Sequence, residues 1–336
     1  MGSKLAQRWV KENRMPLGAQ KAGLFGAAGA ASGGGQIGIF SCGNQASGSD
    51  VTMDYVTISS AGNATDFGDN TTTRDRACGT DNGTSGRGLT CGGWSAANSG
   101  TLTNVIDYVT ITSAGNATDF GDLQSASGEC GACSNGTGDR GVVLGGAENT
   151  EIDYVTISSA GNASDFGDMT ATSVRRTSST SNGTDQRGVS WGGYRDGTDK
   201  NNIDYITINS AGNAADFGDL SVGRMWPSAC SNDTDDRGVA YSGNAGGTGS
   251  NVIDYITITS TGNATDFGNS VINSSEGSRG GTDSGTDNIG IIGGGGSSQT
   301  DEIDTITISS TGNATDFGNL SLARNSGLAA FANSKA

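Results

Sequence analysis

A seventeen-residue phrase recurs six times in this chain. Residues 152–168 read IDYVTISSAGNASDFGD, and the copies are marked by Asp54, Asp107, Asp153, Asp204, Asp254 and Asp304. A catalytic site is normally written once, so the repetition speaks first of architecture. Successive landmarks lie 53, 46, 51, 50 and 50 residues apart. A period near 50 is too long for one rung of a β-helix and falls in the range of propeller blades. The uneven spacing places insertions in loops.

Four short strands fit inside each unit, labelled a to d in chain order. Strand a precedes a Gly-Thr turn, as in SACSNDTDD at 228–236. Strand b is RGVVLGG at 140–146, strand c is IDYVTISS at 152–159, and strand d lies around the DFG triplet. Strand c is rich in Tyr, Val, Ile and Thr, which suit a pleated sheet. Neither of its faces is wholly polar, so both are expected to be covered by neighbours. The AGN that follows is a turn, since Gly and Asn tolerate positive φ. Phe67, Phe120, Phe166, Phe217, Phe267 and Phe317 are expected to fill the space between blades. SNGT, at 134–137 and 181–184, reads as the a–b hairpin turn.

Several motifs resemble chemistry and are better read as scaffold. DFG is a magnesium motif in kinases, but here it occurs six times without the other kinase signatures. The glycine pairs ending strand b, such as Gly92/Gly93, mark close backbone approach near a crowded axis and lack the context of a phosphate loop. Repeated acids such as Asp165 and Asp168 read as capping or solvated groups. Cys130 and Cys133 form a lone CxxC, and zinc would need a second pair or histidines, of which the chain has none. No metal and no cofactor are expected. Cys78, Cys133 and Cys230, each after Ala, read as one small core position in three repeats.

The chain has 336 residues, with 58 Gly, 2 Pro and 33% hydrophobic residues. So little apolar material favours many thin cores between repeated units over one thick core. The net charge of −16 disfavours nucleic acid as a partner. No stretch is long and apolar enough to cross a bilayer as a helix, so no membrane insertion is expected. Against the acidic remainder, residues 1–33 form a basic leader followed by a Gly/Ala-rich linker. It carries Lys4, Arg8, Trp9, Lys11 and Arg14, which are expected to dock the chain onto a larger assembly.

The run RGVVLGG…IDYVTISSAGNASDFGD resembles a kelch-type blade over roughly residues 36–333. The outer aromatic is Phe rather than Trp, and Thr305 stands where the other copies have Tyr. Runs such as NVIDYITITSTGNATDFGN are similar to the kelch-like repeat proteins encoded by marine bacteriophages, cyanophages in particular. That resemblance implies a virion component at a tail or other appendage, with other virion proteins as partners.

The expected fold is therefore all-β: a six-bladed kelch-like propeller of four-stranded blades over residues 34–336. Strands b, c and d occur six times, and two segments compete for the missing strand a. The C-terminal one, 326–334, is preferred over 23–31, because it aligns at the right distance from Arg324 and zips both chain ends into one blade.

Function is expected where the copies differ. The a–b and c–d turns repeat almost unchanged, whereas the b–c and d–a loops vary. On the variable face, Trp94, Tyr194, Arg195, Arg224 and Trp226 are the candidate binding residues, being of the types that dominate interfaces. The expectation is a non-enzymatic structural or adhesive part of a phage particle, contacting a host-surface glycan or protein. A free lectin-like or protein-binding module is the alternative. Without His there is no Ser-His-Asp chemistry, and no singular acidic pair marks a glycosidase.

Overall fold

The computed structural model describes residues 36–45, 48–83, 86–95, 100–147, 149–183, 186–232, 236–274, 279–296 and 299–334. The docking residues Lys4, Arg8, Trp9, Lys11 and Arg14, and the rival strand at 23–31, lie outside the described residues.

The described strands form a five-stranded sheet, a seven-stranded sheet, four four-stranded sheets and a two-stranded ribbon. Each of the larger sheets contains the same antiparallel a–b–c–d meander. The first combines Ala329–Ala332, Ile37–Ser41, Gly48–Thr57 and Thr65–Arg74. The second runs Cys78–Asp81, Arg87–Cys91, Val105–Thr110 and Thr118–Asp122. The third runs Gly131–Ser134, Arg140–Gly146, Asn149–Thr156 and Ser164–Asp168. The fourth runs Ser178–Ser181, Arg187–Trp191, Asn202–Thr207 and Ala215–Asp219. The fifth runs Ser228–Asn232, Arg237–Ala245, Thr248–Thr257 and Thr265–Ser274. The sixth runs Gly280–Asp283, Ile289–Gly293, Thr300–Thr307 and Thr315–Arg324.

These small sheets make a propeller-like ring. Every inner strand a packs against the inner strand of the next sheet, and the C-terminal strand sits between Gly280–Asp283 and Cys78–Asp81. The C-terminal segment takes the place expected for it, with Gly38 opposite Ala332 and Ser41 opposite Ala329. Strand a in the fifth sheet occupies Ser228–Asn232 of the 228–236 span expected, and residues 233–235 lie outside the described residues. The Asn232 Oδ1 accepts the Arg237 N–H at 3.0 Å.

The cores are thin and lie between sheets. One joins Leu89, Ile106 and Phe120 of the second sheet to Val143, Val155 and Ile157 of the third. The same arrangement continues round the circuit to the junction of the sixth and first sheets. This solves the shortage of apolar residues, since each sheet contributes both faces. Burying one Phe or Ile in such a core contributes about 1.5–3 kcal/mol.

The repeated phrase is accounted for residue by residue. Asp153 pairs with Asp165 and Ile152 with Gly167, so Phe166 is the extra residue of a β-bulge. It is buried and meets the Tyr154 ring edge-on at 6.2 Å. The glycine of the bulge is forced. At Gly318, φ is +152° and an added Cβ would stand 2.3 Å from the Gly62 carbonyl oxygen of the next sheet. The turn asparagine then locks the pair of sheets: Asn162 Oδ1 accepts the Asp122 N–H at 3.1 Å, and Asn63 accepts that of Asn319 at 3.2 Å.

Two details differ from the sequence reading. The glycine pairs crowd the d–a segment rather than the axis, since a Cβ on Gly93 would meet the Asp75 carbonyl oxygen at 2.7 Å. Cys78 is also offset from Cys133 and Cys230. It faces Cys91, whereas Cys133 and Cys230 face Val142 and Val239, the places that Thr80 and Leu89 hold in the second sheet. Aligning on the Ala-Cys pair shifts that repeat by two residues. All six cysteines are buried and outside any disulfide.

Candidate functional site

Two of the five candidate binding residues belong to the frame. Arg195 is buried, pairs with Asp204, and donates from Nε to the Gly192 carbonyl at 2.7 Å. Arg224 is buried and pairs with Asp254 at 2.8 Å. Their guanidinium groups are spent inside the ring, so both are withdrawn from the recognition surface. They belong with Arg74–Asp107, Arg279–Asp304 and Arg324–Asp54, all closed to solvent. The landmark aspartates are thus acceptors for buried arginines, which explains why an acid recurs within an apolar strand.

Asp153 departs from this pattern. Ser127 stands where Arg74, Arg224 and Arg324 stand in other repeats, and Gln124 serves Asp153 instead, from N at 3.1 Å and Nε2 at 3.0 Å. Burial pushes the Asp153 carboxyl above its usual range, against the Gln124 hydrogen bonds. Asp54 is raised as well by burial, opposed by Arg324.

The other three candidates come together on the d–a and b–c loop face. Its foundation is a run of residues that enter strand a with left-handed backbone: Arg76, Glu129, Arg176, Trp226 and Ser326, with φ between 54° and 60°. Each binds its counterpart in the neighbouring sheet. Arg76 N–H donates to Ser326 O at 3.3 Å, Glu129 N–H to Arg76 O at 2.8 Å, Arg176 N–H to Glu129 O at 2.7 Å, and Trp226 N–H to Arg176 O at 2.7 Å. The backbone is satisfied sheet to sheet, which leaves the side chains to form a collar around the mouth.

In that collar, Glu129 bridges Arg76 at 3.5 Å and Arg176 at 3.3 Å. The Arg176 guanidinium lies 4.2 Å from the Trp226 ring centre and 5.5 Å from that of Tyr194. Arg175 stands 4.9 Å from the Tyr194 ring, and Arg76 5.5 Å from that of Trp94. Trp94, Tyr194 and Trp226 are half-buried. Three amphipathic rings are thereby held by cations, two of which, Arg76 and Arg176, share the Glu129 carboxylate. Sequence reasoning had no signal for Glu129, the residue that ties Arg76 to Arg176.

Below the collar, the axis is nearly closed. Two small spaces lie along the inner strands, one of about 30 Å³ lined by Thr80, Asp81, Ser179, Thr282, Asp283 and Phe331 and one of about 40 Å³ reaching Cys130, Ser178 and Arg279. Each suffices for a water molecule or two and excludes a sugar ring or an organic cofactor. Among the described residues, no group of three or more Cys, Asp and Glu side chains is placed to hold a metal ion. No protein-family model matches the chain, and no curated protein matches it.

Proposed function

We propose that the ring is a six-bladed kelch-like propeller serving as a non-enzymatic recognition scaffold, carried as a structural or adhesive part of a phage particle. The observation that carries the recognition reading is the collar: Trp94, Tyr194 and Trp226 are buttressed by Arg76, Arg175, Arg176 and Glu129 on the face where the repeats differ. Half-buried rings with one braced side and one open side suit stacking on a glycan or an exposed side chain of a host-surface protein. The placement in a particle rests on the resemblance of the repeats to those of marine phages, and residues 1–33 are its docking element.

The test is mass spectrometry of purified particles from the source, comparing the full chain with a form lacking residues 1–33. Fixed stoichiometry of the full chain and absence of the short one support the reading. Absence of both from particles rejects it. In parallel, the full chain is applied to glycan and host-envelope surfaces, with Trp226→Ala as the control for collar-dependent binding.

A further inference from the structure

The sixth sheet lacks two side chains that the second to fifth sheets all possess. In those four, the first residue of strand b is an arginine stacked on the strand c tyrosine. The guanidinium lies 4.3 Å over Tyr108, 4.6 Å over Tyr154, 4.5 Å over Tyr205 and 4.4 Å over Tyr255. The same arginine reaches the next sheet, donating at 3.0 Å from Arg87 to Ile157 O, from Arg140 to Ile208 O, from Arg187 to Ile258 O and from Arg237 to Ile308 O. The tyrosine in turn meets its own Phe edge-on.

At the junction of the sixth and first sheets, Ile289 replaces the arginine and Thr305 the tyrosine. The volume they would fill is open: a recess of about 340 Å³ bounded by Ile58, Ala61, Ile289, Thr305, Asn313 and Phe317. Phe317 forms its floor without an aromatic partner of its own sheet, while the other five have one. The Ile58 carbonyl corresponds to the acceptors that receive a guanidinium elsewhere, and Ile289 has no proton to give it.

We propose that this recess is a binding site for a small molecule with one aromatic ring and a flexible cationic N–H donor, an arylalkyl amine or guanidine. Its ring takes the tyrosine's place against Phe317, and its cation donates to Ile58 O where the arginine would. The four sister sheets supply the template for both halves of the ligand. The volume falls within the range of small-ligand pockets, and a chain of net charge −16 draws cations. The site lies at the turn end of the sheets, away from the collar, and stands independently of the proposed function.

The test uses the full-length protein and tyramine as probe, with p-cresol and methylamine as its separated halves, followed by ligand-observed NMR and calorimetry. Tyramine is expected to bind at least about tenfold more tightly than either half. Thr305→Tyr fills the recess and is expected to abolish binding while raising the melting temperature, and Ile289→Arg to weaken it. Binding of tyramine no tighter than p-cresol overturns the proposal without recourse to any variant. So does undiminished binding to folded Thr305→Tyr protein. Binding that emerges only when residues 1–33 are removed overturns it too, since the chain would then be its own occupant.

Discussion

Arg324 and Asp54 form an ion pair closed to solvent across 270 residues of sequence. It joins the last sheet to the first and repeats, at the seam, the bond that Arg74 and Asp107 make between consecutive sheets. The guanidinium also donates to Cys42 O at 3.0 Å and Thr52 O at 2.9 Å. Arg324→Met leaves a buried carboxylate uncompensated and is expected to lower stability by about 3–5 kcal/mol. Arg324→Lys is expected to recover little, since one ammonium cannot span those three acceptors. Urea unfolding of the two variants checks both statements.

Asp153 is raised in the same direction as Asp54 but has Gln124 rather than an arginine opposite it. With its carboxyl raised by burial and no arginine opposite, the folded state holds this proton to higher pH than the unfolded chain does. The stability tied to the group is complete below the ordinary carboxylate value and is lost as pH rises through the raised one. Asp153→Asn keeps an acceptor for Gln124 and removes the charge. It is expected to match the parent in acid and to equal or exceed its stability at neutral pH. Paired unfolding curves on either side of that window measure the difference, and a loss at neutral pH refutes the assignment.

Gly318→Ala tests the seam from the turn side. Its φ of +152° and the Gly62 carbonyl oxygen, 2.3 Å from the new Cβ, together predict a loss of about 2–4 kcal/mol. Gly48→Ala serves as the control, since its φ of +113° shares the unfavourable region but nothing lies within 4 Å of its Cβ. Thermal unfolding of the pair separates backbone strain from collision.

The collar separates binding from folding. Trp226→Ala is expected to lower stability by about 1–2 kcal/mol, the worth of a partly desolvated cation–π contact, and Arg176→Ala by somewhat more because it also leaves Glu129 with one arginine fewer. Each is expected to weaken contact with a surface partner by about tenfold or more. Arg224→Ala, two residues from Trp226, should instead unfold the protein, and circular dichroism alongside binding discriminates the two effects.

The six buried thiols offer a probe of the whole circuit. Burial and the neighbouring Cys130 and Cys91 push the Cys78 thiol well above its usual range. Native protein is expected to be silent to a thiol reagent at neutral pH, with all six cysteines reacting once denaturant opens the cores. A fast native fraction would mean that at least one sheet junction is open in solution.

The repeat was legible because its residue types are fixed by local physics. Phe166 at a bulge, a glycine with positive φ after it and an asparagine in the turn must recur wherever sheets meet in the same way. Closure by the C-terminal strand could be aligned for the same reason. Arg224 and Arg195 were misread as surface because an arginine's partner is set by space, not by sequence. A signal did exist for Arg224: Arg74 and Arg324 occupy the same repeat position, and what repeats is frame. None existed for Arg195, which reaches Asp204 from the b–c loop because Val174 occupies that position in its repeat. Glu129 was missed because a lone acid in an acidic chain looks like solvation until two arginines are seen beside it.

The circle of left-handed residues at the mouth has a consequence for how such a surface changes over generations. Arg76, Glu129, Arg176, Trp226 and Ser326 share one backbone geometry and one set of main-chain bonds while carrying side chains of four different types. The main-chain bonds use none of those side chains, which couple instead to one another through Glu129 and Arg176. A library over these five positions should keep the main-chain circle while sampling new specificities, with Arg76, Glu129, Arg176 and Trp226 varying as one linked group.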